Sequence, residues 1–282
     1  MMQQFKKTLL GKKIKKMAIA RFLMRSYGDW RYPFMNIAWW MAGILVPRRK
    51  VSVDGIKFTL SCTNWITHFR WYLFRRKEQE VRYFIDKYVK EGDVFFDIGA
   101  NVGVFSVYSG KRYSNISVYC FEPEYSNLHT LKDNIIHNGL KAKTNIFSVA
   151  ISDFVGISSL HVQDFTAGSA VHTENKESIN VTDEGFAVIW SEGIVAVTLD
   201  YLCEQLGVQP NAIKIDTDGN EDKVLRGAEK TLSDRRLRSL VIEMPDNPDK
   251  ERYCRRILTS ANFTQVRPDW LKTRNEIWTR KG

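Results

Sequence analysis

Two apolar runs, each closed by a turn with an acidic residue, constrain the fold of this chain most. Val94-Phe95-Phe96 leads into the turn Asp97-Ile-Gly-Ala-Asn-Val-Gly103, and the next apolar run ends at Phe121-Glu122-Pro123. A short apolar run before a glycine-rich turn is typical of a buried parallel strand that leads into a helix. Gly99 and Glu122 are 23 residues apart, close to the roughly 20 residues of one nucleoside-binding strand–helix–strand unit.

The charges in these two turns discriminate between cofactors. An acidic residue at the end of the second strand can bond both ribose hydroxyls, which assigns Glu122 to a ribose. Asp97 lies where a dinucleotide would place its pyrophosphate, and the two negative charges would repel. The dinucleotide fingerprint also requires glycine where this chain has Asn101 and Val104. S-adenosylmethionine has no phosphate and carries a cationic sulfonium and amino group, so the turns favour it over NAD. A turn that only caps a helix is the structural alternative.

A second polar segment, Ile213-Lys-Ile-Asp-Thr-Asp-Gly-Asn-Glu221, follows another apolar strand. Lys214 and Asp216 fall on one face of that strand because side chains alternate with a period of two. Open α/β sheets hold ligands at the carboxyl ends of their strands, so both residues are candidates for the site. The alternative is a capping box formed by Asp218 and Glu221, worth about 1 kcal/mol and no chemistry.

Apolar periodicity predicts an alternation of strands and helices. We expect a hairpin at Asp54-Gly55, a hairpin and loop over the site within 154–198, and a parallel sheet covered by helices on both faces, whose last two strands are antiparallel. The predicted strands are 94–98, 116–121, 144–149, 212–216, 237–243, 263–267 and 276–280. The predicted helices are 78–90, 126–138, 221–232 and 249–260.

Five motifs in order resemble the FkbM family of S-adenosylmethionine-dependent methyltransferases across residues 75–280. They are the two turns after the first strands, Ala150-Ile-Ser-Asp153, Thr198-Leu-Asp200 and Lys214-Ile-Asp-Thr-Asp-Gly-Asn-Glu221. The resemblance implies the class I methyltransferase fold, an α/β Rossmann-like fold with a seven-stranded sheet ordered 3-2-1-4-5-7-6. It also implies O-methylation of a hydroxyl on a sugar, glycan or secondary metabolite. The usual Val-Glu-Gly is Thr-Asp-Gly here, and we expect this departure to alter the acceptor pocket.

Within this interpretation, site residues receive provisional roles. Asp216 is the first candidate to organise the methyl group and the acceptor. Lys214 orients Asp216, or acts as a base if burial lowers the pKa of Lys214. A structural ion pair of Lys214 with Asp216 or Glu243 is an equal alternative. His161 and His172 are solvated loop residues or, less readily, an acceptor-side base. The remaining predicted site residues are Glu243 in the same cleft, Asp97, Gly99, Asn101 and Gly103 at the methionine end, Glu122 at the ribose, and Ser152 and Asp153 at the adenine.

The first 50 residues carry nearly all of the excess positive charge. They contain 12 Lys and Arg against the single acidic residue Asp29, so the other 232 residues sum to −1. We expect a basic helical extension over 1–50, with the methyltransferase domain at 51–282 and a hairpin and helix at 51–92. Adhesion to an anionic membrane would gain roughly 1 kcal/mol per basic residue. A nucleic-acid arm has the right charge but no base-reading motif.

The apolar segment 37–46 is about half of the roughly 20 residues that a spanning helix needs, so it is predicted either to lie at a membrane interface or to pack in a core. The four cysteines are far apart and show no spacing typical of metal or disulfide sites, which favours a reducing cytoplasm and no metal. Competing functions are a nicotinamide-dependent reductase, an RNA 2′-O-methyltransferase, and a non-catalytic module that binds membrane or nucleic acid through the tail.

Overall fold

The computed structural model describes residues 48–74, 78–162, 164, 166–169, 189–270 and 273–281. Residues 48–282 form one unit and residues 1–47 another. Residues 1–47 of the predicted helical extension, which include its apolar segment 37–46, lie outside the described residues, as do His172 and most of the loop expected within 154–198. These predictions stay predictions. Residues 48–50 were predicted to belong to that helical extension, which is wrong, because they pair with residues 59–61 as the start of a strand.

The described part contains strands separated by helices, as the periodicity predicts. The strands are β1 (Arg48–Val53), β2 (Ile56–Ser61), β3 (Val94–Ile98), β4 (Ser117–Phe121), β5 (Thr144–Phe147), β6 (Ala150–Ser152), β7 (Gly156–Val162), β8 (Trp190–Thr198), β9 (Ala212–Ile215), β10 (Ser239–Glu243), β11 (Phe263–Val266) and β12 (Asn275–Arg280). The helices are α1 (Trp65–Leu73), α2 (Gln79–Tyr88), α3 (Val104–Arg112), α4 (Tyr125–His137), α5 (Leu199–Leu206), α6 (Glu221–Arg226), α7 (Glu229–Ser233) and α8 (Pro248–Ser260).

Seven strands form the central sheet in the order β11-β12-β10-β9-β3-β4-β5. The five strands from β10 to β5 are parallel, and β12 is antiparallel to both β10 and β11. Numbered along the chain and counted from the β5 edge, the order is 3-2-1-4-5-7-6. The prediction of a class I α/β fold is therefore confirmed, including the antiparallel final pair.

Side-chain alternation along the central strand builds two core layers. Phe95 packs into one apolar cluster and Phe96 into the other, because consecutive residues of a strand point to opposite faces. The first layer includes Phe84 of α2 and Leu131 of α4. The second includes Val224 of α6, together with residues of α5, α7 and α8. Helices thus cover both faces, and the carboxyl edge of the parallel strands is where polar side chains collect.

The hairpin prediction is confirmed, since β1 and β2 pair antiparallel from Val53–Ile56 to Arg48–Ser61. Asp54 and Gly55 have positive φ angles of 50° and 78°, which a type I′ turn requires.

The prediction of one continuous helix over 221–232 is wrong, because the helix breaks between α6 and α7 at Gly227. A Cβ on Gly227 would lie 2.1 Å from the carbonyl oxygen of Ser152. The chain therefore approaches β6 too closely there for any side chain, and the carbonyl of Gly227 accepts from the Asp200 amide instead. The strand predicted over 144–149 also ends early, at residue 147, because β6 leaves the central sheet and pairs with β8.

Strands β6, β8 and β7 form a small separate sheet. Strand β7 pairs antiparallel with β8 from Gly156–Ala196 to Val162–Trp190, so the arms of a hairpin are present within 154–198. Among the helices in the described ranges, none has the length and apolar character to cross a bilayer.

Candidate active site

A buried ion cluster lies under the carboxyl ends of β3 and β9. Lys214 is the register partner of Asp97 across these strands, and its Nζ lies 3.3 Å from Asp97 Oδ1 and 3.5 Å from Asp216 Oδ2. The same ammonium donates to the carbonyl of Gly99 at 2.8 Å, and Ser106 donates to Asp97 Oδ2 at 2.5 Å. Asp97 and Lys214 are 1% and 5% exposed, whereas Asp216 is 32% exposed. Only Asp216 of this cluster opens to the cleft.

The pKa of Lys214 decides between the two roles predicted for it. Burial alone would lower this pKa, but the carboxylates of Asp97 and Asp216 more than offset burial and raise the pKa above its usual value. Lys214 is therefore an ammonium at any physiological pH. The condition for a base role, a pKa lowered by burial, is absent, and the geometry favours the ion-pair and orienting role.

Asp216 and Glu243 form a second, more open acidic pair at the ends of β9 and β10. Burial raises the pKa of Asp216, but Lys214, a hydrogen bond from Glu243 and the charge of Arg70 outweigh it and leave the pKa low. Burial and the Asp216 charge raise the pKa of Glu243 to about 8, against the opposing effect of Arg274, which donates to Glu243 at 2.9 Å. At neutral pH the pair therefore holds one proton, on Glu243. The alternative ion pair of Lys214 with Glu243 is replaced by this arrangement.

Glu122 lies directly after β4 and is 5% exposed. Its Oε2 accepts from the Asn101 amide at 2.8 Å, and its Oε1 accepts from the Glu124 amide at 3.0 Å and from Asn127 Nδ2 at 3.4 Å. Burial raises its pKa to about 7, although the two backbone donors lower it. The carboxyl thus joins the second strand to the glycine turn of the first, and Oε2 keeps one lone pair for a further donor.

The glycines of the first turn are required by protein contacts. Gly99 has φ +70°, and a Cβ there would lie 1.7 Å from the carbonyl oxygen of Asp216. Gly103 has φ +76°, and a Cβ there would lie 2.7 Å from Leu131 Cδ1. Both positions therefore demand glycine before any ligand binds. Asn101, between them, also has a positive φ of 51°, and its side-chain amide donates to the carbonyl of Ser169 at 2.8 Å.

Residues 97–275 match the Methyltransferase FkbM domain family, a range that begins at the buried Asp97 and includes the acidic pair. The chain belongs to the FkbM methyltransferase family. It is a methyltransferase that uses S-adenosylmethionine. The resemblance to the FkbM family that the five motifs indicate is therefore confirmed.

Several named proteins are similar to this family member. "Methyltransferase 1" of Beauveria bassiana is 24% identical over 186 residues, which is 62% of this chain and 74% of that protein. "31-O-demethyl-FK506 methyltransferase FkbM" of Streptomyces tacrolimicus is 29% identical over 69 residues, 24% of this chain and 26% of that protein. The crystal structure of magnesium protoporphyrin IX methyltransferase from Synechocystis PCC 6803 with bound SAM has a TM-score of 0.45 and 13% identity, covering 78% and 86% of the two chains.

The side chains of the cleft fit the cofactor of an FkbM methyltransferase. Asp97 Oδ1 is buried and lies 3.3 Å from the ammonium of Lys214, so Asp97 contributes a carboxylate beneath the strand ends, and Glu122 is a second buried carboxyl at the adjacent strand end. Carboxylates suit the cationic sulfonium and amino groups of S-adenosylmethionine, and a carboxyl with a spare lone pair suits ribose hydroxyls.

Ser152 and Asp153, predicted to reach the adenine, lie on and after β6 in the small sheet. Ser152 is fully buried, and its carbonyl packs against Gly227. Asp153 Oδ2 accepts from Arg226 Nη1 at 2.9 Å. Their adenine role stays a prediction, and it is weaker for Ser152 because no surface of that side chain is open. His161 lies on β7 and its ring bonds Ser191 of β8 at 2.7 Å.

Three polar partners in the FkbM site were not predicted from the sequence. They are Ser106, which donates to Asp97, Asn127, which donates to Glu122, and Arg274, which pairs with Glu243. Asn127 lies in the first turn of α4 and Ser106 in the first turn of α3. A search of the first turns of helices that follow sheet strands would have found both.

Glu221 holds the loop after β9 in place. Its Oε1 accepts from the Thr217 amide at 2.8 Å and from the Gly219 amide at 3.1 Å. The N-cap residue of α6 is Asn220, so the alternative capping box begun by Asp218 is wrong. Asp218 and Gly219 both have positive φ angles, 53° and 101°.

Proposed function

We propose that the enzyme methylates a hydroxyl oxygen of a sugar, a glycan or a secondary metabolite. The observation that supports this proposal is the Asp216–Glu243 pair, which opens to the cleft at the strand ends while the Asp97–Lys214 pair is buried beneath it. O-methylation releases the hydroxyl proton, so a partly exposed acidic pair at the methyl-transfer site has a function there.

The acidic pair is our candidate for receiving that proton. S-adenosylmethionine, when bound, supplies an electrophilic methyl group whose bond to sulfur breaks as the bond to the acceptor oxygen forms. The released proton needs a base with a pKa near the working pH. Glu243 has a pKa of about 8, and its ionised form can accept a proton, whereas Asp216 alone is a weak base because its pKa is low. We therefore assign proton acceptance to the pair and acceptor positioning to Asp216.

We also retain the cofactor-binding roles as proposals. Asp97, Gly99, Asn101 and Gly103 would face the methionine end, and Glu122 the ribose. The remaining lone pair of Glu122 Oε2 supports the ribose assignment. Gly99 and Gly103 would contribute through the backbone conformation of the turn, because both have positive φ and neither has room for a side chain. Titration with S-adenosylmethionine tests the ribose assignment, and unchanged affinity in Glu122→Ala would refute it.

The acceptor class can be tested by labelling. The enzyme is incubated with methyl-labelled S-adenosylmethionine and separated glycan, lipid, small-metabolite and RNA fractions of cells. We expect label in glycans or small hydroxylated metabolites, and a Glu243→Gln variant that labels much more slowly. Label in RNA alone would replace our proposal by 2′-O-methylation of RNA.

We further propose a cytoplasmic enzyme that contacts an anionic membrane through residues 1–50. The net charge of +11 in that segment supports this proposal. Co-sedimentation of the full chain with phosphatidylserine vesicles should weaken with salt and with Lys12, Lys13, Lys15 and Lys16 changed to Glu. Equal binding by that variant would refute the tail's role.

A further inference from the structure

Residues 166–169 form a short segment that we call the strap. Its backbone makes hydrogen bonds with side chains from several separate elements. Two bonds come from α1 and its cap: Asn64 Nδ2 donates to the Ala167 carbonyl at 2.9 Å, and Arg70 Nε donates to the Gly168 carbonyl at 2.6 Å. On the opposite side, the Gly168 amide donates to Asn127 Oδ1 at 2.7 Å. Asn101 Nδ2 donates to the Ser169 carbonyl.

Two of these anchors also hold the carboxyl assigned to the ribose. Asn101 donates its backbone N–H to Glu122 and its side-chain amide to the strap. Asn127 donates its side-chain amide to Glu122 and accepts from the strap through Oδ1. The two asparagines therefore join the strap to Glu122, and a shift of the strap changes the position of both donors to that carboxyl.

The other anchors lie before residue 97, outside the range that matches the family. Asn64 caps α1 through a capping box with Thr67. Gly168, which is buried, has φ +90°, and a Cβ there would lie 3.2 Å from Thr67 Cγ2. The strap therefore packs tightly on α1, with Arg70 as its charged anchor.

We propose that Arg70 is a positioning residue for cofactor binding, acting through the strap on Asn101 and Glu122 without touching the cofactor. A pre-ordered strap spares the cofactor the entropy of ordering it, at about 0.5–1.5 kcal/mol per immobilised side chain. Loss of the Arg70 anchor should therefore weaken binding by roughly 3- to 10-fold. The inference rests on the proposed ribose role of Glu122.

Calorimetric titration of the full chain with S-adenosylhomocysteine tests the proposal. Arg70→Ala should raise the Kd by the stated factor, whereas Arg70→Lys, which keeps a donor for the Gly168 carbonyl, should remain closer to wild type. Arg252→Ala is the matched control, since this exposed arginine of α8 pairs only with its helical neighbour Asp249 in the part of the chain described. Hydrogen exchange supplies a second readout: the Gly168 amide should gain protection with ligand in the wild type and less in Arg70→Ala.

A second variant guards against misfolding of the first. Asn64→Ser keeps a helix-capping oxygen but removes the donor to Ala167, so it should weaken binding in the same direction. The proposal would be overturned if both variants fold and bind S-adenosylhomocysteine with wild-type affinity. It would also be overturned if the ligand does not change the hydrogen-exchange rates of the strap amides. A Glu122→Ala variant that binds S-adenosylhomocysteine as tightly as the wild type does would instead refute the ribose assignment on which the proposal rests.

Discussion

Replacement of Lys214 by methionine separates a structural cation from a catalytic base. Met fills a similar volume and removes the charge, so the variant leaves Asp97 buried with Ser106 as its remaining hydrogen-bond donor. It also removes the donor to the Gly99 carbonyl. We expect the free energy of unfolding to fall, because burial without a partner is costly for a carboxylate.

The magnitude follows from the burial of the pair. Breaking a buried ion pair by removing one partner costs about 3–5 kcal/mol, and the pair here is 5% and 1% exposed. The unsatisfied Gly99 carbonyl, at about 1–3 kcal/mol, is part of the same loss and is not added to it. A protein of this size loses about 2–4 °C of Tm per kcal/mol, so Tm should fall by roughly 6–20 °C.

Urea unfolding followed by circular dichroism measures this loss. The control is Lys141→Met, at an exposed position, which should change stability by less than about 0.5 kcal/mol. The double variant Asp97→Asn with Lys214→Met should be more stable than Lys214→Met alone, since it buries no unpaired charge. A loss below 1 kcal/mol, or no gain in the double variant, would refute the structural role.

Four further predictions concern the turns and the acidic pair. Glu122→Gln should weaken S-adenosylhomocysteine binding by roughly 10-fold or more, the value of hydrogen bonds to a charged group. Wild-type binding at pH 6–7 should release protons, seen as buffer-dependent calorimetric enthalpy, because ribose hydroxyls favour the ionised form of a carboxyl whose pKa is about 7; buffer-independent enthalpy would contradict this. Gly99→Ala should destabilise the protein by at least about 2 kcal/mol more than Gly139→Ala in urea unfolding, because both glycines have φ near +70° but only Gly99 faces a carbonyl; equal losses would contradict the clash. The preference for S-adenosylmethionine over S-adenosylhomocysteine should rise by roughly fivefold as pH passes through 8 at low salt, since the attraction of two unit charges at contact distance is worth about 1 kcal/mol where water screens them. Glu243→Gln should abolish this rise, and its persistence in that variant would exclude Glu243 as its source.

The strands of the fold could be predicted because their determinants are local. Apolar runs that end in Gly99, Glu122 or Asp216 mark both a buried strand and its carboxyl end, so the sheet and its polar edge follow together. The break at Gly227 could not be predicted in this way. Its cause is the carbonyl of Ser152, 75 residues earlier in the chain, and the helical period on either side continues without interruption.

In the candidate site, too, some features follow from the local sequence and others depend on contacts between distant elements. The position of Asp97 beside Lys214 requires the register of β9 against β3, which the two-residue period does not supply. The shared face of Lys214 and Asp216 follows from that period. Their protonation does not, because it depends on burial and on partners from other elements. Lys214 could take either role on the residue pattern alone, and the neighbouring carboxylates of Asp97 and Asp216 decide between them. Burial and the charge of Asp216 on the neighbouring strand raise the pKa of Glu243.

The charge balance of the cleft connects these protonation states to catalysis. Methyl transfer disperses the positive charge of the sulfonium, so an environment that is too negative stabilises the bound cofactor more than the transition state and slows the reaction. Lys214 offsets the charge of Asp97, and the proton on Glu243 leaves Asp216 as the one uncompensated carboxylate of this group at neutral pH. Above pH 8 the group gains a second negative charge, which should tighten cofactor binding and also supply a stronger base. Tighter binding of the cofactor slows the reaction whereas a stronger base speeds it. The ionisation of Glu243 is therefore measured most directly through the binding preference between S-adenosylmethionine, whose sulfur is charged, and S-adenosylhomocysteine, whose sulfur is neutral.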